Sequence, residues 1–357
     1  MDLLVEKIKR EIKISNRKIG INHPPFVIAE IGINHEGDFK KAKKMVYDAY
    51  KAGCECVKFQ CHIVDDEMTF DAKKVIPGNA SESIYDIMKR CSLKKNERVK
   101  LKEYTESLGM IYLSTPFSRA AADELEEMNV PAFKIGSGEC NNYPLIEHIS
   151  SFQKPIILST GMNDISSIKK SVNILEKNNV EYGLLHCTSM YPTPYEKVRL
   201  GALNDLKKNF PDAIVGLSDH SIGNYTCFAA ISLGASILEK HFTSDKKWPG
   251  PDVPISIDPS DLKDLIDGSN AIFKALGGSK TILDGEKPTI DFAYASVVSI
   301  KDIKKGEIIS NENIWVRRPG TGDYRAEEFY DLIGKKAKKD IKKNTQIRKD
   351  MIMDGQE

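Results

Sequence analysis

No run of roughly 18 apolar residues occurs anywhere in the sequence, so no membrane-spanning helix is expected. Paired cysteine motifs are also missing. The seven cysteines (Cys54, Cys56, Cys61, Cys91, Cys140, Cys187 and Cys227) are odd in number, scattered, and contain no C-x-x-C pair. That pattern argues against a disulfide framework or structural zinc and for a reducing, cytoplasmic location. Net charge is nearly absent: 52 basic residues against 51 acidic ones leave +1, too little field to hold nucleic acid. The lysine run at 335–343 is broken by Asp340 and reads as a solvated face. Residues 1–18 alternate Lys and Glu and lack the apolar core of a signal peptide. With 357 residues, 41% hydrophobic and 29% charged, the chain has room for a (β/α)8 barrel of about 250 residues and one small domain.

Short continuous apolar runs alternate with helical patterns through the first 280 or so residues. They lie at 26–31, 54–59, 110–114, 132–135, 155–158, 182–186, 213–217 and 236–238. Runs apolar on both faces are what parallel strands covered by helices look like. Eight βα units predict an α/β TIM barrel. Between the first two runs, Ala42, Met45, Val46, Ala49 and Tyr50 form an apolar helical stripe, with Asp38 as N-cap and Gly53 as the helix-ending residue. Gly109 and Gly234 precede later strands in the same role. Residues 63–93 are an insertion with a loop at Pro77, Gly78 and Asn79. The alternation stops near Leu276, giving a barrel over 1–282, a linker over 283–290 and a small β-rich domain over 291–357.

Polar residues fall where strands end. Glu30 closes the first run, Lys58 and Gln60 the second, and Thr115 follows the third. Lys134, Ser137 and Glu139 follow the fourth, Ser159 and Thr160 the fifth, Ser189 and Tyr191 the sixth. Ser218, Asp219 and His220 end the seventh; Glu239, Lys240 and His241 end the eighth. In this barrel class the C-terminal strand face builds the active site, so one polar crater is expected. Lys58 and Lys134 with the surrounding hydroxyls suit a small phosphate- and carboxylate-bearing anion. Structural ion pairs with Glu30 or Glu239, or a Schiff base, are the alternatives. His220 and His241 end adjacent strands and either share a catalytic divalent metal or are hydrogen-bonded barrel residues. His35 and His62 are candidate rim members, and His186 reads as a core residue. Gly136 and Gly138 would permit close backbone approach after the fourth strand. The Trp248-Pro249-Gly250-Pro251 segment reads as a lid or a rigid turn, with Asp252 beyond it in reach of a polyol.

These residues lie in motifs that resemble the sialic acid synthase family, the bacterial N-acetylneuraminate synthases. The motifs are AEIGINHEGD (29–38), VKFQ (57–60), LSTPFSRAAA (113–122), FKIGSGECNNYPLI (133–146), ILSTGM (157–162), YPTP (191–194), VGLSDHS (215–221), LEKHFT (238–243) and GPD (250–252). In the tail, TIDFAYASVVSIKDIKKGE (289–307) and WVRRPGTG (315–322) look like the family's small antifreeze-like (SAF) domain. The resemblance implies a swapped homodimer that condenses phosphoenolpyruvate with N-acetylmannosamine. It implies Glu30, Lys58, Lys134, His220 and His241 as catalytic residues. Phosphoenolpyruvate would be held by Lys58, Gln60, Thr115, Lys134, Ser137, Ser159, Ser189 and Ser218. His220 and His241 would hold Mn2+, with Co2+ or Mg2+ as alternatives. Glu139, Tyr191, Glu239 and Asp252 would contact the sugar, joined by Phe292 and Arg318 of the other subunit. Ser189 stands where close relatives carry Asn, and Lys240 where Arg is common. Residues 73–93 resemble the N-acetylneuraminate branch rather than the legionaminate or pseudaminate branches, which share the reaction centre.

Overall fold

The structure, a computed structural model, describes residues 11–78 and 80–353. It divides into two units, Met1–Gly277 and Gly278–Glu357. Among the described residues no helix is long and apolar enough to cross a membrane.

The first unit opens with an antiparallel hairpin, β1 (Ile12–Ile14) and β2 (Arg17–Ile19). Eight strands follow: β3 (Phe26–Gly32), β4 (Cys56–Cys61), β5 (Ile111–Pro116), β6 (Phe133–Ile135), β7 (Ile156–Ser159), β8 (Tyr182–Cys187), β9 (Ile214–Asp219) and β10 (Ile237–His241). Their order is β5-β4-β3-β10-β9-β8-β7-β6, every pairing parallel, with the first and last strands of the eight paired to each other. In a flat sheet β6 and β10 would stand four spacings apart, about 19 Å. Yet Lys134 on β6 reaches Glu239 on β10 at 3.7 Å, which requires a closed barrel.

Alternation along each strand divides the core in two. Phe26, Ile28, Cys56, Leu113, Ile157, Leu185, Ile214 and Ile237 point inward and form one cluster with Ile12, Ile14 and Ile19 of the hairpin. The hairpin therefore plugs the N-terminal end of the barrel. Val27, Ala29, Val57, Phe59, Leu158 and Leu217 point outward into the helix layer. Helix Phe39–Lys51 shows how that layer is specified. Asp38 caps it by accepting from the N–H groups of Lys40 and Lys41, at 2.7 and 3.2 Å. Ala42, Met45, Val46 and Ala49 are buried, but Tyr50, expected in the same stripe, is 43% exposed. Gly53, Gly109 and Gly234 all adopt positive φ.

The insertion after β4 carries helix Val64–Glu67, a 3-10 turn Phe70–Lys74 and helix Ile84–Cys91; Asn79 lies outside the described residues. The second unit pairs β11 (Ser296–Ser299) with β12 (Ile314–Arg317) around Val297, Ile303, Ile309, Ile314, Leu332 and Ile347. Much of the segment expected as a linker is regular: Asp284–Glu286 is a 3-10 turn and Lys287 begins helix Lys287–Ala293.

Candidate active site

The inward alternation that packs Ile and Leu at the barrel bottom brings charge to its other end. Continuing it up each strand places Glu30, Lys58, Thr115, Lys134, Ser159, Cys187, Ser218 and Glu239 inside, all nearly inaccessible to solvent. Lys58 Nζ is 2.7 Å from Glu30 Oε2 and donates to Thr115 Oγ1 at 3.0 Å. Lys134 Nζ donates to Ser159 Oγ at 2.7 Å and to the Ile135 carbonyl at 3.0 Å. Glu239 lies between the two ammonium groups, 3.8 Å from Lys58 and 3.7 Å from Lys134, and accepts from Ser218 Oγ at 2.9 Å. Glu239, which the resemblance implies as a sugar contact, is thus paired with both floor lysines here. It is inward-facing two residues before His241, deep enough to be a counter-ion on the floor.

Burial and pairing divide these charges. Burial disfavours the Lys58 ammonium, but Glu239 and Glu30 outweigh it and raise its pKa. At Lys134 burial prevails and the pKa falls. Burial works against the Glu239 carboxylate, but Lys134 and Lys58 hold it below the usual range. Glu30 is pushed up to about 7 by burial, against the pull of Lys58. One floor carboxylate is therefore firmly ionised and the other is poised near neutrality.

Next to Lys134, the β6 and β7 ends make a narrow cradle. Ser137 Oγ accepts from the Gly161 N–H at 3.0 Å. A Cβ on Gly161 would lie 2.5 Å from Ser189 Oγ and 2.8 Å from Ser137 Oγ. Gly161 is thus the residue whose missing side chain lets two serines converge. Gly138, expected to serve close approach, has open space around its Cα.

His220 and His241 do come together, with ring centroids 5.4 Å apart. His220 Nδ1 lies 2.9 Å from the Thr188 carbonyl, and Tyr191 stacks on the ring at 4.2 Å. His241 Nδ1 is buried with no hydrogen-bond partner, and Asp252 Oδ2 lies 3.8 Å away. Burial, then the neighbouring cations, drive His241 well below the ordinary histidine pKa, so its imidazole is neutral. Among the described residues no group of three or more His, Cys, Asp or Glu side chains is arranged to hold a metal. A neutral imidazole with an orphaned ring nitrogen, facing a second histidine, nevertheless fits one side of a divalent cation with open positions.

A cavity of about 380 Å3 adjoins this pair, lined by Gln60, His62, Glu67, Tyr191, His241 and Asp252 and walled by Ile84, Ile87 and Met88 of the insertion. Burial raises Asp252 to about 6, with His220 pulling the other way. Glu139 is half-buried, accepts from Asn142 Nδ2 at 2.6 Å, and is raised by burial.

His62 lines the cavity, as its reading as a rim member anticipates, but the bonds that hold it and the place of Cys187 are not legible in the sequence. His62 is held on both nitrogens, 2.8 Å from Glu67 Oε2 and 3.0 Å from Gln60 Oε1, and stacks on Phe117. Gln60 in turn donates to Glu30 Oε1 at 3.1 Å, so the insertion reaches the floor through a hydrogen-bonded chain. Cys187 pairs across from Ser218, and its Sγ is 3.8 Å from His220 Nδ1. The helical-position residue Glu67 and the strand residue Cys187 carry no local signal. By contrast His35 is not a rim ligand. Its Nδ1 accepts from the Gly37 N–H at 3.0 Å, and burial lowers it to about 4. His186 Nε2 is 2.6 Å from the Val198 carbonyl, a core residue as expected.

In the second unit, exposed Phe292 lies on helix Lys287–Ala293, and exposed Arg318 follows β12. The Gly320 N–H donates to the Asp291 carbonyl at 2.8 Å, tying the two segments together.

The comparisons with known proteins agree with this architecture. The NeuB family model matches residues 45–281 and the SAF domain model residues 294–353. The chain is 42% identical over 314 residues to an uncharacterised protein of Methanocaldococcus jannaschii, covering 87% of this chain and 90% of that one. It is 38% identical over 330 residues to N,N'-diacetyllegionaminic acid synthase of Campylobacter jejuni, covering 90% and 98%. Among solved structures, N-acetylneuraminic acid (sialic acid) synthetase from Leptospira borgpetersenii superposes with a TM-score of 0.72 at 32% identity, over 79% of this chain and 95% of that one. A closed eight-stranded barrel with this floor, followed by a SAF domain, thus makes the chain a member of the NeuB family of sialic acid synthases.

Proposed function

We propose that this protein is an N-acetylneuraminate synthase, condensing phosphoenolpyruvate, N-acetylmannosamine and water to N-acetylneuraminate and phosphate. The observation that carries the reading is the barrel floor: two buried lysines share two carboxylates and are ringed by hydroxyl donors. That surplus of donors suits a small trianion.

In this reading Lys58, Thr115, Gln60 and Ser218 hold one anionic end of phosphoenolpyruvate; Lys134, Ser137, Ser159 and Ser189 hold the other. Glu239 serves as counter-ion to both lysines between turnovers. Glu139, Tyr191 and Asp252 receive the sugar hydroxyls, and Phe292 and Arg318 of a second copy in a swapped homodimer close over its acetamido end. His220 and His241 would hold a divalent cation, Mn2+ in the first instance, which when bound supplies Lewis acidity toward an aldehyde oxygen. With the reactants so oriented, carbon 3 of the enol bonds to the aldehyde carbon and water adds at carbon 2. Glu30, poised near neutrality, takes the proton of that water. Carbon–oxygen cleavage then releases phosphate from the tetrahedral centre, and Lys134 with its serines stabilises the departing charge. The seven free, buried thiols accord with a cytoplasmic enzyme.

A second reading is supported by the 38% identity to a legionaminate synthase and by the apolar Ile84, Ile87 and Met88 wall. There the acceptor is a 2,4-diacetamido-2,4,6-trideoxyhexose, whose methyl group would meet that wall. The test is kcat/KM with N-acetylmannosamine, its 6-phosphate and the diacetamido sugar in parallel. Preference for N-acetylmannosamine is expected; preference for the diacetamido sugar would transfer the protein to the second reading. Arg318→Ala is expected to raise the amino-sugar KM about tenfold or more, the cost of an unpaired charged hydrogen bond, and to leave the phosphoenolpyruvate KM nearly unchanged. Equal effects on both would remove Arg318 from the sugar site.

A further inference from the structure

The β9–β10 ladder ends on one cross-strand pair, Asp219 opposite Lys240. Lys240 is 0% and Asp219 2% exposed, and Lys240 Nζ lies 2.5 Å from Asp219 Oδ2. The same oxygen accepts from Ser221 Oγ at 2.9 Å and from Thr226 Oγ1 at 2.8 Å, and Oδ1 accepts from the Ser221 N–H at 3.1 Å. Lys240 also donates to the Ser221 carbonyl. Stability alone does not account for such a pair, since apolar side chains of similar volume often do as well or better.

Its place in the fold suggests a different role. Asp219 immediately precedes His220, and Lys240 immediately precedes His241. Side chains alternate along a strand, so the ion pair faces helix Tyr225–Ser232 while the two histidines face the barrel interior. His220 is steadied locally by the Thr188 carbonyl, but His241 Nδ1 has no hydrogen-bond partner. Tyr191 packs against both rings, but no hydrogen bond fixes His241, so the spacing of the rings depends also on the backbone at the ladder's end. We propose that the Asp219–Lys240 pair is a positioning element that fixes the separation of His220 and His241 for a divalent cation. The inference rests on the metal reading above and adds residues outside the crater to it.

The test is Mn2+ affinity of the metal-free full-length protein, measured by the electron paramagnetic resonance of free Mn2+, beside phosphoenolpyruvate affinity by calorimetry. Lys240→Met is expected to weaken Mn2+ binding about tenfold or more, comparable to losing a group hydrogen-bonded to a metal ligand, with phosphoenolpyruvate binding unchanged. Lys240→Arg keeps the charge and is expected to stay within about threefold of wild type. The double variant Asp219→Asn/Lys240→Met leaves no uncompensated charge, so it remains decisive if the single variant does not fold; it too is expected to bind Mn2+ weakly. Wild-type affinity in folded Lys240→Met or in the double variant would overturn the positioning role and leave the metal reading intact. Wild-type protein that binds phosphoenolpyruvate but no Mn2+ would overturn both.

Discussion

Lys58→Met is expected to lower kcat/KM for phosphoenolpyruvate about 1000-fold or more. Removing one preorganised donor to developing charge costs about 10²- to 10³-fold by itself. Here the lost donor is also one of two cations on the floor, paired at 2.7 Å with Glu30 and 3.8 Å from Glu239. Without it Glu30, already raised to about 7 by burial, loses the positive charge that pulls it down and is protonated at neutral pH. The proposed proton acceptor and one anion anchor disappear in the same substitution. Leaving Glu239 with a single cation should also cost stability, up to about 3–5 kcal/mol for a broken buried pair. Urea denaturation reports that loss separately from steady-state kinetics. A variant within tenfold of wild-type kcat/KM would mean that Lys58 is a structural partner of Glu30 and no more.

His220→Ala should abolish Mn2+-dependent turnover, and wild-type enzyme treated with EDTA should fall to the same level. A catalytic cation commonly supplies several kcal/mol of charge stabilisation, so a loss of about 10³-fold or more is expected. Phosphoenolpyruvate binding should survive, because the lysines and hydroxyls that hold it are elsewhere on the floor. Substitution also removes the ring on which Tyr191 stacks, so some rise in the amino-sugar KM is expected alongside the fall in kcat. Full activity of the variant, or of wild-type enzyme in EDTA, would remove the cation from the mechanism.

The barrel was readable because each of its strands is buried on both faces and each is followed by a helix. The crater was readable because polar residues recur at strand ends, where this architecture gathers them. Depth was not readable. Glu239 and His241 are both inward-facing ends of β10, and only the closed barrel shows that the first meets two lysines on the floor while the second meets the cavity. The chain Glu67, His62, Gln60 and Glu30 likewise joins an insertion helix to two strands, a geometry without local spacing. The β1–β2 hairpin was missed because Lys and Arg separate Ile12, Ile14 and Ile19, so the segment read as charged before it read as alternating. Tyr50 followed the apolar stripe in sequence yet ends half in solvent at the last turn of its helix. Gly161 gave no signal beyond the motif it stands in, since its role depends on two serines from other loops.

In the proposed reaction Lys58 and Lys134 hold an anion for carbon–carbon bond formation and do not form a Schiff base. One measurement addresses it most directly: phosphate release from phosphoenolpyruvate with Mn2+, with and without N-acetylmannosamine, with borohydride added to a parallel reaction. Phosphate release is expected only when the amino sugar is present, with one equivalent of nine-carbon keto acid per phosphate and no substrate trapped on the protein. Borohydride trapping on Lys58 or Lys134, or phosphate release that ignores the sugar, would contradict the proposed reaction.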